Sequence, residues 1–182
     1  NDTAGKYVKG YGIQVRGVIK MVKQVRTFNM TGKFEDIERS TPQSKRIHIG
    51  NMRSGKAYAI LDFRVYPGSM YTPCQLNGTL TMKEDAGTDP LNPDFSNTGQ
   101  IAWSSFNQTY ANTGLGVTNL NISQARHRDD ERYFAKDVVL TVTDEEGTSD
   151  INYYIKVAEF DTPDDVSSII QLIQFSELLG QT

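Results

Sequence analysis

Between Gln24 and Val157 the apolar residues return at every second position in run after run, with no helix-length stretch of 3.6-residue periodicity between the runs. Period two sends alternate side chains to opposite faces of an extended chain, so the middle of this sequence is committed to half-buried β-strands. Residues 57–65 show it best. Ala57, Ala59, Leu61, Phe63 and Val65 fall on one side, and Asp62 and Arg64 on the other. Phe28, Met30 and Phe34 share a parity in Gln24–Asp36, as do Ile47 and Ile49 in Lys45–Ile49, and Leu76, Leu80 and Met82 in Gln75–Met82. Ile101 and Trp103 mark Gln100–Phe106. Val117, Leu120 and Ile122 mark a weaker strand. Phe134, Val138, Leu140 and Val142 belong to a long one, and Ile151, Tyr153, Ile155 and Val157 to the last. Turn residues separate them: Pro67-Gly68, Asp85-Ala86-Gly87, Asp89–Asn97, and Asp144–Gly147 as a hairpin turn with Gly147 expected at positive φ. About eight strands without intervening helices exclude a βαβ order and predict a mainly β, two-sheet antiparallel sandwich, jelly-roll-like, over residues 21–161.

The two ends follow other rules. Residues 1–20 carry Gly5, Gly10, Gly12 and Gly17 among few apolar residues, which predicts an extended arm that orders against something else. Residues 162–182 return to a helical period. Thr162 suits the N-cap, Pro163 the first turn, Asp164 and Asp165 the positive end of the dipole, and Gly180 the stop. Val166, Ile169, Ile170 and Ile173 form one apolar stripe, while Leu172, Phe175 and Leu179 lie roughly opposite. One stripe packs on the domain, and the other is expected to meet a covering loop or a neighbouring subunit.

Charge divides the chain unevenly. Residues 1–33 hold seven Lys/Arg against Asp2 alone, a net of +6, whereas residues 34–182 hold twelve against 21 acids, a net of −9. The arm is therefore expected to meet something anionic through Lys6, Lys9 and Lys20, either packaged nucleic acid or the acidic body of a neighbouring copy. Its β-branched and aromatic residues favour the neighbour by strand addition, with Tyr7, Tyr11, Ile13, Val15 and Arg16 making the contact. No apolar run approaches the ~18 residues of a membrane span, and mean hydropathy is −0.49. The chain opens on Asn1-Asp2-Thr3-Ala4-Gly5 without an initiator Met or an apolar leader, as expected of a processed chain or one numbered from inside a longer product.

Catalytic and metal-binding patterns are missing. The single Cys74 excludes an intrachain disulfide, and neither His48 nor His127 has a catalytic setting. The acidic loop Lys83–Asp89 lacks the spacing and closing Glu of an EF-hand, and one Cys with two distant His does not make a zinc site. There is no Gly-x-Ser-x-Gly, phosphate loop or dinucleotide fingerprint. The run Arg126–Arg132 mixes both charges and reads as a solvated loop or a subunit contact. Trp103 near Tyr110 reads as a core tryptophan, with a sugar platform as the alternative. Asn29, Asn77, Asn107 and Asn121 head glycosylation sequons, which matter only in a eukaryotic secretory chain. The expectation is a non-enzymatic protein without cofactor or metal.

Three stretches carry a family resemblance: Ser40–Gly50 leading into Ala57–Pro67, Asp89–Asn97 leading into Gln100–Trp103, and Asn152–Ile155. In texture and order they resemble virion structural proteins of marine bacteriophages, over roughly residues 22–175 and outside the arm. The resemblance implies a coat, minor capsid or capsid-decorating protein of sandwich fold, found in the virion after assembly in the host cytoplasm, and it transfers no catalytic residue. The expected partners are copies of the chain and other virion proteins, with non-specific nucleic-acid contact through the arm and no membrane. A receptor- or carbohydrate-binding head of a spike or fibre, using Trp103 and residues 83–99, is the alternative.

Overall fold

The alternating runs become eight strands: β1 (Lys23–Ile37), β2 (Gln43–Ile47), β3 (Lys56–Pro67), β4 (Cys74–Thr81), β5 (Gln100–Asn112), β6 (Thr118–Arg128), β7 (Val138–Asp144) and β8 (Ser149–Asp161). They come from a computed structural model that describes residues 23–49, 55–69, 73–82, 90–91, 99–112, 118–129, 132–135, 137–147 and 149–162. The arm 1–20 and the segment 163–182, to which the sequence assigns a helix, lie outside the described residues. The strands form two antiparallel sheets, ordered β1-β8-β3 and β2-β7-β4-β5-β6.

The sheets face each other across one apolar core. Leu76 and Leu80 of β4, Val138, Leu140 and Val142 of β7, and Phe106 of β5 meet Phe63 and Val65 of β3 and Ile151, Ile155 and Val157 of β8. Full burial of each such side chain stabilises the fold by about 1.5–3 kcal/mol. Gly78 of β4 lies close against β3 of the other sheet. A Cβ there would stand 2.7 Å from Val65 Cγ1 and 3.1 Å from the Phe63 ring. In the smaller sheet, Tyr153 of the central strand β8 fills the space that Gly32, its partner in register on β1, leaves open, and packs edge-on against Phe34 at 6.0 Å.

Three local expectations need correction. The even alternation expected from Ala57 to Val65 is broken by an irregularity in register between Ile60 and Asp62. Before it Tyr58 and Ile60 join the core cluster, with Ala57 and Ala59 buried on the opposite parity; after it Phe63 and Val65 do, and Leu61 is only half-buried. An extra residue in one strand shifts every later side chain to the other face, which a strict period of two cannot register. Arg126–Arg128 do not form a loop but end β6, because β5 supplies a ladder that runs through all three. Gly147 does not take positive φ. The turn it closes is held instead by Asp144, whose Oδ1 accepts from the Glu146 and Gln75 amides, and the positive-φ residues nearby are Asp36 (52°), near the end of β1, and Ser40 (53°), in the turn after it.

Candidate assembly surfaces

A sandwich meets its surroundings through strand edges, sheet faces and the turns at its two ends. The edges are β1 and β3 in the smaller sheet and β2 and β6 in the larger. Each edge offers backbone N–H and C=O groups to any strand that can reach it, and natural edges are blunted by charge, brevity, bulges or cover.

β1 is long and exposed along its outer face, yet it carries Lys23, Arg26, Lys33 and Glu35 and two breaks in register, at Gln24/Arg26 and Phe34/Ile37. β2 is five residues long and includes Lys45 and Arg46. On β3 the free edge is covered at Tyr58, which exchanges backbone hydrogen bonds with Phe134 at 2.8 and 2.9 Å. Farther along, Asp62 receives Arg64 Nε at 2.7 Å from its own strand and Arg126 NH1 at 2.9 Å from β6. The guanidinium of Arg64 is held charged by Asp62, with Tyr66 as a second partner. Arg128 reaches the Leu61 carbonyl in the same way. β3 and β6 are thus stitched by two arginine side chains, and among the described residues β6 has a backbone ladder only with β5.

Two ion-pair networks brace the smaller sheet. Glu159 of β8 is 5% exposed and accepts from Arg26 of β1 at 2.7 Å and Lys56 of β3 at 3.2 Å, while Lys56 also pairs with Asp161. Burial works against the Glu159 carboxylate, but its two cationic partners outweigh it and hold the group below the usual range. Lys56 is correspondingly raised, by Asp161 first and then Glu159. At the other end Lys33 donates to Asp150 at 2.7 Å, and the Asp36 amide adds a second bond at 3.1 Å; the Asp150 carboxyl is lowered by both, Lys33 first. There the β1–β2 turn is strapped to the β7–β8 turn: Ser40 N donates to the Asp144 carbonyl, Ser40 Oγ to Glu145 and Arg39 Nε to the Glu145 carbonyl. Each of these networks joins strands of one domain, which is a structural use of charge.

The outer face of the larger sheet is polar. Thr143, Asn77 and Ser105 align across β7, β4 and β5, with Thr141, Thr79 and Trp103 in the next row. Thr79 and Asn77 are buried, and Thr79 Oγ1 and Asn77 Nδ2 find no hydrogen-bond partner among the described residues. Trp103 is not a core residue as expected: it lies on this outer face, half-buried, and its indole N–H donates to the Pro90 carbonyl at 2.9 Å. His127 stands opposite it in register, exposed on β6. His48, just past β2, lies 3.0 Å from Asp137, just before β7.

The sequence-derived contact residues all fall outside what is described: Lys6, Tyr7, Lys9, Tyr11, Ile13, Val15, Arg16 and Lys20 in the arm, and Leu172, Phe175 and Leu179 in the C-terminal segment. Of the loop 83–99, only Pro90, Leu91 and Gly99 are described. Cys74 is fully buried, and burial followed by the nearby Asp144 carboxylate pushes its thiol up to about 11. Among the described residues no three His, Cys, Asp or Glu side chains are grouped to hold a metal ion, and no helix is long and apolar enough to cross a membrane. Sequence reasoning missed the β3–β6 seam. Its only trace was the charge run at Arg126, whose partner Asp62 lies 64 residues away. No protein-family model, curated protein or solved structure matches the chain.

Proposed function

We propose that this chain is a non-enzymatic structural subunit of a virion that self-assembles into or onto a phage capsid, and that its strand order is a jelly roll. The observation that carries the reading is the pairing order of the strands. β1 pairs with β8, β2 with β7 and β4 with β5, and β3 lies against β6 through Arg126 and Asp62. That is the order made by folding an eight-strand ribbon in half and rolling it up, so that first meets last and third meets sixth. Jelly rolls of this kind recur in viral capsid and lectin domains, and the fold alone does not choose between them.

Two features favour the shell subunit over a glycan-binding head. Trp103, the aromatic such a head would use, has its indole N–H engaged by Pro90 and its ring half-buried. The ion pairs join strands of the domain, while β6 presents a long edge, uncharged from Thr118 to Ala125, at the margin of the larger sheet. In this reading the sandwich is the brick. Residues 1–20 and 162–182 reach copies of the chain and other virion proteins, and the basic arm prefers an acidic neighbour to packaged nucleic acid. No cofactor takes part, and the protein resides in virions assembled in the host cytoplasm.

The test is the mass distribution of the purified chain at low and high salt, with and without residues 1–20. Large, salt-sensitive assemblies that vanish with the arm support the reading. A monomer or a stable trimer indifferent to both changes sinks it and favours the glycan-binding head.

A further inference from the structure

β6 differs from the other three edges in what it lacks. From Thr118 to Ala125 it reads Thr-Asn-Leu-Asn-Ile-Ser-Gln-Ala, with no charge, proline or glycine. Its register with β5 runs through eleven consecutive pairs, Asn112↔Thr118 to Ala102↔Arg128, without a shift. From Asn121 to Arg128 every residue is exposed, so both faces of the strand stand in solvent. Ile122 shows the consequence: register places it on the core-facing side, opposite the fully buried Gln108 of β5, yet it is 48% exposed. In an antiparallel ladder every second residue of an edge strand turns its N–H and C=O away from its neighbour. A regular, uncharged, exposed edge of this length is a template for another strand.

We infer that β6 pairs antiparallel with β6 of a second copy, about a two-fold axis passing near residues 121–123, which joins two five-stranded sheets into one of ten strands. The inference deepens the assembly reading and rests on it, by naming one of the contacts between copies.

A second copy is the occupant because of what its own edges allow. β1, β2 and the free edge of β3 are blunted by charge, shortness, breaks in register or the Phe134 bridge. The unblunted edge it can offer among the described residues is again β6, and like edges meet by two-fold symmetry. Charge agrees with this register. With Ser123 on the axis, Arg126 faces Leu120 and Arg128 faces Thr118, so no arginine opposes its counterpart, as a register centred on 126 or 127 would require. Arg126 and Arg128 are in any case turned toward β3 of their own chain by Asp62 and the Leu61 carbonyl, clear of the incoming strand.

The experiment uses the full chain in two variant sets. In I122K/S123K, lysines of the two copies face one another at the centre of the ladder, and self-association by sedimentation falls roughly tenfold or more, while exposure at both sites keeps the thermal midpoint close to the parent's. Single cysteines at positions 119, 121, 122, 123 and 125 then report register under mild oxidation. A disulfide-linked dimer peaking at one of 121–123, with little at 119 and 125, is expected, and the buried Cys74 serves as the silent background. Assemblies that lose their size with residues 1–20 but ignore both lysines, and give no register-specific cross-link, overturn the β6 contact while leaving the assembly reading intact. A chain monomeric under every condition overturns both.

Discussion

Arg126 of β6 donates to Asp62 of β3 at 2.9 Å, and this bridge, with Arg128 on the Leu61 carbonyl, is what holds the third and sixth strands together in place of a backbone ladder. A ladder would have closed the sandwich along this margin. The bridge keeps β6 close to β3 without using its backbone, and among the described residues the outer amides of β6 join no ladder; in the assembly proposed above, this seam is where fold and assembly meet.

Because the seam rests on side chains, it is weak and separable. Asp62→Ala and Arg126→Ala are each expected to cost little, with a coupling of about 0.5–1 kcal/mol in a double-mutant cycle from urea unfolding. Arg126 is 52% exposed at its side chain, so the coupling shrinks as salt rises. A coupling of zero at low salt would remove the bridge as the element that positions β6.

Gly78 sets the spacing between the sheets. Gly78→Ala forces a methyl against Val65 and Phe63 and is expected to destabilise by about 1–3 kcal/mol. Adding Val65→Ala makes room for that methyl, so the double variant loses less than the two single changes predict. Simple additivity in thermal unfolding would mean that the contact relaxes without strain.

Thr79 offers a gain. Its hydroxyl is buried in the centre of β4 without a partner among the described residues, and Thr79→Val keeps the β-branched shape. The chain is expected to gain up to about 1 kcal/mol, measured by urea midpoint. A clear loss would show that the hydroxyl is bonded.

Acid should weaken the smaller sheet. Glu159 and Asp150 are both held below the usual carboxylate range in the fold, so their stabilisation is complete above the unfolded values of about 4.3 and 3.9 and is lost as pH falls through their lower folded values. Lys33 and Lys56 are raised, so their share persists to about pH 10.4 and fades above it. Glu159→Gln is expected to cost about 1 kcal/mol at neutral pH and to flatten the acid limb of the stability profile. An unchanged acid limb would contradict the role given to Arg26 and Lys56.

Cys74 should be chemically silent. Full burial and a thiol pushed up to about 11 leave almost no accessible thiolate at neutral pH. Alkylation is expected to follow global unfolding and to accelerate with urea. Rapid labelling of the folded chain would show that β4 opens locally.

The period-two pattern by itself determined the strands, because burial of one face of an extended chain is written residue by residue. Ile151, Tyr153, Ile155 and Val157 line the core as their spacing predicts, and Leu76, Leu80, Leu140 and Val142 meet them from the other sheet. The absence of a helix-length helical period between the alternating runs determined the antiparallel class for the same local reason. Tertiary structure alone decided the rest. Nothing in the spacing of Ala57–Val65 announces the irregularity at Leu61, since one extra residue is absorbed by pairing with β8 and not by any local preference. Trp103 faces outward because β4 sets the register of β5, and its own apolar character has no say in that choice. The strand order, which puts β6 at the end of its sheet and ties it to β3 by Arg126 and Asp62, depends on contacts between residues 64 apart. A linear pattern records which side of a strand is buried, but not which strand lies beside it.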